Sequence, residues 1–356
     1  NGEQIEGFAY VQATQKKGWR SSSSRAFIDP IIKRSNFTVS KNSVARRILF
    51  EGKQAVGVEA SIRGKIVRLN VRKEVVVSAG AIASPQLLML SGIGDPKELK
   101  SHGLSVVAKN PEVGRNLQDH PGLGMTYEVI VPTFNDEMAL WKQVIHGANW
   151  LFRGKGVGTT PDAHLVGFIK TNDSVELPDI QVHVTPAGYL VSGEGDLILK
   201  ESSFSTVVSV CRPLSRGRIT LQSADPLAPP KIFNQLFEDS RDLECLLAGI
   251  KKVRGIVEQA PIYNLVKKPI EPSWTRADDD EISTYLRANA GTIYHPSCTC
   301  RMGTDENAVV TPDLKLRGVK GVRVADASIM PSVTSGNLNA PCMMIGEKVS
   351  DLILRS

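Results

Sequence analysis

Residues 75–94 constrain the fold more than any other stretch of the chain. Val75-Val76-Val77 is a β-branched run, Ser78-Ala79-Gly80 has turn composition, and Leu87, Leu88, Met89 and Leu90 lead into Ser91-Gly92-Ile93-Gly94. β-Branched residues favour a strand. Ser84 suits an N-cap, Pro85 suits the first helical position, and glycine is preferred just past a helix end. The pattern predicts a strand over 75–77 and a helix that opens at Ser84-Pro85. A strand feeding a helix through a glycine turn is the unit from which α/β nucleotide sites are built. These twenty residues carry no charge, yet their serines, glycines, Gln86 and Pro85 do not suit a bilayer span. We read them as buried strand, turn and helix.

The flanking sequence divides into three parts. From Phe37 to Val77, the apolar runs Phe37-Val39, Val44-Phe50, Ala55-Ile62, Ile66-Val71 and Val75-Val77 are separated by Gly52, Gly57 and Gly64, which predicts a strand-rich region. From about Pro121 to Ala288 the strands are longer and more polar, with helical periodicity over Asp239–Val257. That middle part reads as a separate antiparallel domain. The last part returns to short strands, with Val322-Arg323-Val324-Ala325-Asp326 as strand and 340–354 as a closing helix. The expected division is 1–120, 121–288 and 289–356, with the first and third parts forming one body. Length supports two domains, since 356 residues exceed one average domain.

Composition excludes several classes. Hydrophobic residues make up 41% and charged residues 22%, which is ordinary globular usage. The net charge of +6 comes from scattered pairs such as Lys16-Lys17, Arg46-Arg47, Lys251-Lys252 and Lys267-Lys268, without a dense basic tract, so nucleic acid is not the expected partner. The acidic run Asp278-Asp279-Asp280-Glu281 reads as a helix start. Five cysteines do not make a disulfide framework. Asn36-Phe37-Thr38 and Asn172-Asp173-Ser174 are glycosylation sequons, a secretory feature if used. The first residue is Asn1 and no signal peptide follows, so the sequence reads as beginning in mid-protein.

Chemistry concentrates near the end. His295 lies in Tyr294-His295-Pro296-Ser297-Cys298-Thr299. His295, Cys298 and Cys300 are zinc-type donors, but a single residue separates the cysteines and no second ligand pair follows, so we read the two cysteines as small buried residues. Further on, a strand ends in Asp326, a proline turn follows, and Ser335-Gly336-Asn337-Leu338-Asn339-Ala340-Pro341 leads into an apolar helix. Amides at such a start favour anionic or electron-rich groups. Turn and cap roles for Asp326 and Asn339 are the simpler alternative.

Four separated motifs agree in order with one family. They are Gly80-Ala81-Ile82-Ala83-Ser84-Pro85-Gln86-Leu87-Leu88 through Gly94, Val113-Gly114-Arg115-Asn116-Leu117-Gln118-Asp119-His120-Pro121, the His295 segment, and the tail from Asp326 to Asn339. In these the chain resembles the glucose-methanol-choline (GMC) oxidoreductases. Its tail wording is most similar to the insect branch of glucose dehydrogenases and ecdysone oxidases.

The resemblance implies a mixed α/β fold: part of an FAD-binding, Rossmann-like domain interleaved with a substrate domain on an antiparallel sheet. It implies FAD as cofactor, a small-molecule alcohol (sugar, steroid or aromatic) as substrate, and no transmembrane segment. His295 and Asn339 take the two catalytic positions. Val44, Gly80, Tyr294, Asp326, Ala327, Ala340 and Pro341 fall at flavin positions, and no metal is implied. The reaction implied is hydride transfer from an alcohol carbon to flavin N5, with His295 as general base and Asn339 orienting the substrate oxygen. The electron acceptor is oxygen or a quinone-like compound. A flavin-containing hydroxynitrile lyase and an inactive, truncated remnant are the alternatives. Residues 1–356 contain no GxGxxG, the nearest cluster being Gly154-Lys155-Gly156-Val157-Gly158, so the main pyrophosphate cradle is expected outside this sequence.

Overall fold

The computed structural model describes residues 4–192, 195–274 and 277–355. The chain forms two compact units, Asn1–Arg34 with Pro121–Arg212 and Asp239–Ile293, and Ser35–His120 with Pro213–Glu238 and Tyr294–Ser356. Its helices are α1 (Gly80–Leu90), α2 (Pro96–Ser101), α3 (Leu140–Arg153), α4 (Ser240–Val257), α5 (Asp279–Asn289) and α6 (Asn339–Leu354).

The first unit is built on a seven-stranded sheet. Its order is Gly7–Tyr10, Leu165–Ile169, Ile180–Thr185, Ser203–Val210, Pro121–Val129 and Val266–Glu271, with Gly291–Thr292 also paired to Pro121–Val129, all antiparallel. α4 covers one face. Leu246 and Ile250 on α4 are fully buried, as is Ile180 below them. Gly249 makes that approach possible, because a Cβ there would stand 2.6 Å from Ile180 Cδ1. α5 starts as its acidic run predicts: Asp278 caps it and shares a capping box with Glu281.

The second unit holds the α/β core. Ser43–Glu51, Gln54–Ile62 and Lys65–Asn70 form an antiparallel sheet, and Val75–Val77 pairs in parallel with Val322–Val324. α1 lies in the middle of the core, with Leu88 and Met89 at 0% exposure. Full burial of such side chains contributes about 1.5–3 kcal/mol each. The Ser91 hydroxyl fastens the end of α1 to the neighbouring sheet, accepting from Ile48 N at 2.8 Å and donating to Leu87 O at 2.6 Å.

Several expectations are corrected. α1 begins at Gly80, so Ser84 is not its N-cap and Pro85 lies inside the helix. The core tolerates Pro85 because Ala81 O, the carbonyl its missing N–H would have served, accepts instead from Thr299 Oγ1 at 2.6 Å. Phe37–Val39 forms no strand. The division also differs from the expected one: 1–34 enters the first unit because Gly7–Tyr10 pairs with Leu165–Ile169. Residues 213–238 enter the second, where Arg218–Thr220 pairs with Lys231–Phe233, and residues 289–293 close the first.

Candidate active site

Every site residue expected from the sequence falls in the second unit. The segment 116–120 fixes the frame. Gln118 pairs through its backbone with Ser297, donates its amide to Pro213 O at 2.7 Å, and accepts from Val333 N at 3.1 Å. The buried carboxylate of Asp119 then holds two backbones at once, since Oδ1 accepts from His120 N at 2.8 Å and from His295 N at 2.9 Å. The two imidazoles are thereby brought together, Nδ1 to Nδ1 at 3.0 Å with rings 89° apart. His120 is 1% exposed, whereas His295 is half-buried.

The hydrogen-bond network assigns the protons. His120 Nε2 lies 2.9 Å from Thr334 O, a carbonyl that can only accept, so Nε2 of His120 carries a proton. In neutral His120 the Nδ1 is then an acceptor, and His295 Nδ1–H donates to it. His295 Nε2, the other ring nitrogen, lies 3.5 Å from Asn337 Nδ2. Tyr294 at φ 63° and Cys298 at φ 75° flank this segment in left-handed backbone, a constraint that surrounding structure must enforce for non-glycine residues.

Asp326 organises the neighbouring turn. Its Oδ2 accepts from Gly80 N at 2.9 Å and from Ser84 Oγ at 2.5 Å, while Oδ1 accepts from Ser328 N at 2.8 Å. Gly80 needs its glycine there, at φ 82°. Ala327 is buried behind it and its carbonyl accepts from Cys298 N at 3.1 Å. Asn339 and Ala340 are exposed in the first turn of α6, which has no side-chain cap, and Pro341 follows half-buried. The Asn337 amide, which the sequence does not single out, lies 3.5 Å from His295 Nε2. Val44 lies elsewhere, exposed on the three-stranded sheet opposite Ser61.

Asp119 and His120 lie in the motif 113–121, and the sequence alone gives them no role. The signal was an Asp-His pair running straight into an apolar strand, where both side chains would be buried. The cysteine reading agrees with the structure for Cys298 and Cys300, which are fully buried. Burial pushes the Cys298 thiol up to about 11 and raises that of Cys300. Among the described residues no three His, Cys, Asp or Glu side chains converge as a metal site.

A half-buried imidazole held by a second, buried one, on a partly parallel α/β unit and with an antiparallel-sheet unit in the same chain, defines a mixed α/β class of protein. The chain belongs to the GMC oxidoreductase family, whose models match residues 1–122 and 213–346. It is 40% identical over 358 residues to an oxygen-dependent choline dehydrogenase of Pseudomonas fluorescens, covering 99% of this chain and 63% of that protein. It is 38% identical over 357 residues to oxygen-dependent choline dehydrogenase 1 of Chromohalobacter salexigens, with the same coverage. The chain thus spans about 63% of the length of these curated relatives. Among solved structures, formate oxidase of Aspergillus oryzae matches at TM-score 0.89 and 24% identity, over 98% of this chain and 66% of that one. Pyridoxine 4-oxidase from Mesorbium loti matches at 0.87 and 25%, over 100% and 66%. The insect branch expected from the tail wording is therefore corrected: whole-chain similarity runs to bacterial choline dehydrogenases.

FAD is the cofactor of this family, in agreement with the resemblance. The residues present fit the flavin end of it. The start of α6 has no side-chain cap, and a Cβ built at Gly80 meets nothing within 4 Å.

Proposed function

We propose that this chain carries the base and part of the flavin site of an FAD-dependent enzyme that oxidises an alcohol CH–OH group. The observation that carries the reading is the His120–His295 pair, in which the Thr334 carbonyl orients His120 and the Nδ1–Nδ1 bond leaves Nε2 as the ring nitrogen of His295 not bonded to His120. FAD, when bound, supplies the acceptor for a hydride from the alcohol carbon. His295 Nε2 takes the hydroxyl proton, and the resulting imidazolium is held by the Nδ1–H bond to His120. The alcohol loses a hydride and a proton and leaves as the carbonyl compound. Asn337 and Asn339, on the loop and first turn beside His295, orient the substrate oxygen through their amides. Gly80, Tyr294, Asp326, Ala327, Ala340 and Pro341 shape and hold the flavin end.

Identity of 40% to oxygen-dependent choline dehydrogenases favours a small hydroxyalkyl quaternary ammonium as substrate and oxygen as acceptor, over the sugar, steroid and aromatic alcohols considered from sequence. The test uses the full-length, flavin-loaded protein without oxygen. Choline is expected to bleach the flavin absorbance, and His295→Ala is expected to slow bleaching about 10³-fold while flavin stays bound. Cyanide release from a cyanohydrin without bleaching would replace this reading by the lyase. Unchanged bleaching in His295→Ala would remove His295 from its role.

A further inference from the structure

The tautomer of the imidazole pair depends on Thr334, whose carbonyl accepts from His120 Nε2. Thr334 lies in a segment with no ladder of its own: among the described residues, no backbone–backbone hydrogen bond involves 331–334. A segment of that kind takes its orientation from side chains.

Three side chains supply it, from alternate positions of one stretch of chain. Asn116 Nδ2 donates to Pro331 O at 3.2 Å, Gln118 Oε1 accepts from Val333 N at 3.1 Å, and His120 Nε2 donates to Thr334 O at 2.9 Å. The stretch is itself fixed, because Leu117 and Gln118 are bridged through their backbones to Gly217 and Ser297.

Gln118 is the middle of the three and is 2% exposed. Its amide has one possible orientation. Val333 N can only donate and Pro213 O can only accept, so Oε1 faces the 331–334 segment and Nε2 faces Pro213. The Pro213 carbonyl is held in turn by Arg216 Nη1 at 3.1 Å, and the Cys298 thiol donates to Oε1 at 3.5 Å. Both ends of the side chain are therefore anchored. Thr334 follows Val333 directly, and His120 stands two residues after Gln118. One buried amide thus sets the place of the Thr334 carbonyl relative to the His120 ring.

We infer, on the reading of His295 as the base, that Gln118 is a positioning residue for the oxidation: it holds the 331–334 segment so that Thr334 O keeps the His120 proton on Nε2. Without the Gln118 acceptor, Val333 N loses its partner and the carbonyl is no longer confined. His120 then samples the tautomer with its proton on Nδ1, which faces His295 Nδ1. In that state neutral His295 carries its own proton on Nε2 and cannot take one from an alcohol.

Full-length, flavin-loaded protein labelled with ¹⁵N at histidine tests this without substrate, because protonated and bare ring nitrogens give separate signals. His120→Ala and His295→Ala assign them. Wild type is expected to show His120 protonated at Nε2 and His295 at Nδ1. Gln118→Asn, one methylene too short for Val333 N, is expected to mix the His120 tautomers and to lower kcat by about 10–100-fold with KM within about threefold. Gln118→Glu, with an oxygen at the same reach, is expected to recover part of both. A wild-type His120 protonated at Nδ1 overturns the inference, as does a Gln118→Asn protein with wild-type nitrogen signals, whatever its melting temperature or kcat. The signals are read apart from turnover, so unslowed flavin bleaching in His295→Ala would count against the base and not against the tautomer brace.

Discussion

His120 and His295 stand Nδ1 to Nδ1 at 3.0 Å, and the Thr334 carbonyl on the far side of His120 decides which of the two carries the shared proton. The buried ring therefore sets the tautomer of the half-buried one. His295 Nε2 is kept free of hydrogen by a residue that need not touch substrate.

His120 is accordingly a positioning residue, and replacing it should cost turnover more than binding. His120→Ala is expected to lower kcat by about 10²–10⁴, the range seen when a catalytic imidazole loses its tautomer partner, with a smaller change in KM. His120→Asn, whose side-chain oxygen reaches the place of Nδ1, is expected to recover part of the loss. Steady-state kinetics of the flavin-loaded protein decide it; equal activity in His120→Ala would refute the tautomer argument.

The Thr299 hydroxyl stands in for the amide that Pro85 lacks. Thr299→Val leaves the buried Ala81 carbonyl without its donor and should destabilise by about 1–3 kcal/mol. In a Pro85→Ala background the new N–H serves that carbonyl, so the same replacement should cost less. A double-mutant cycle by urea unfolding measures the difference, and strict additivity would contradict the compensation.

Arg323 is 2% exposed, and its charge is met by Glu74 Oε2 at 2.9 Å and Asp313 O at 2.6 Å. Removing the carboxylate leaves a buried cation on a core strand. Glu74→Ala is expected to destabilise by about 3 kcal/mol, at the lower end for a broken buried pair because the Asp313 carbonyl remains. A melting temperature within a degree of wild type would show the pair to be dispensable.

The Arg301 guanidinium grips Asp305 through two hydrogen bonds, at 2.7 and 2.9 Å, and holds its carboxyl down at about 2. A carboxyl lowered by folding adds stability that is complete above its unfolded pKa, near 4, and is lost as pH falls through the folded value. Asp305→Asn should therefore melt slightly below wild type at pH 7 and converge on it as the pH falls below about 2. Thermal melts across that range provide the check. A gap that widens on acidification would reverse the sign.

The sequence by itself determined the local elements and the family. Val75–Val77 and the apolar run to Leu90 form strand and helix because β-branched and apolar residues express those preferences within a few residues. His295 stood out by its motif. Pro85 shows the limit of local reasoning: it reads as a helix start, yet it sits inside α1 because Thr299, 218 positions from Ala81, supplies the Ala81 carbonyl with the missing donor.

Tertiary structure alone decided the active geometry. His120 meets His295 across 175 positions, and Asp326 reaches Gly80 across 246. A hydrogen bond is specified by distance and direction between two groups, and those are fixed only when distant segments pack. For the same reason the Asn337 amide comes to 3.5 Å from His295 Nε2 across 42 positions.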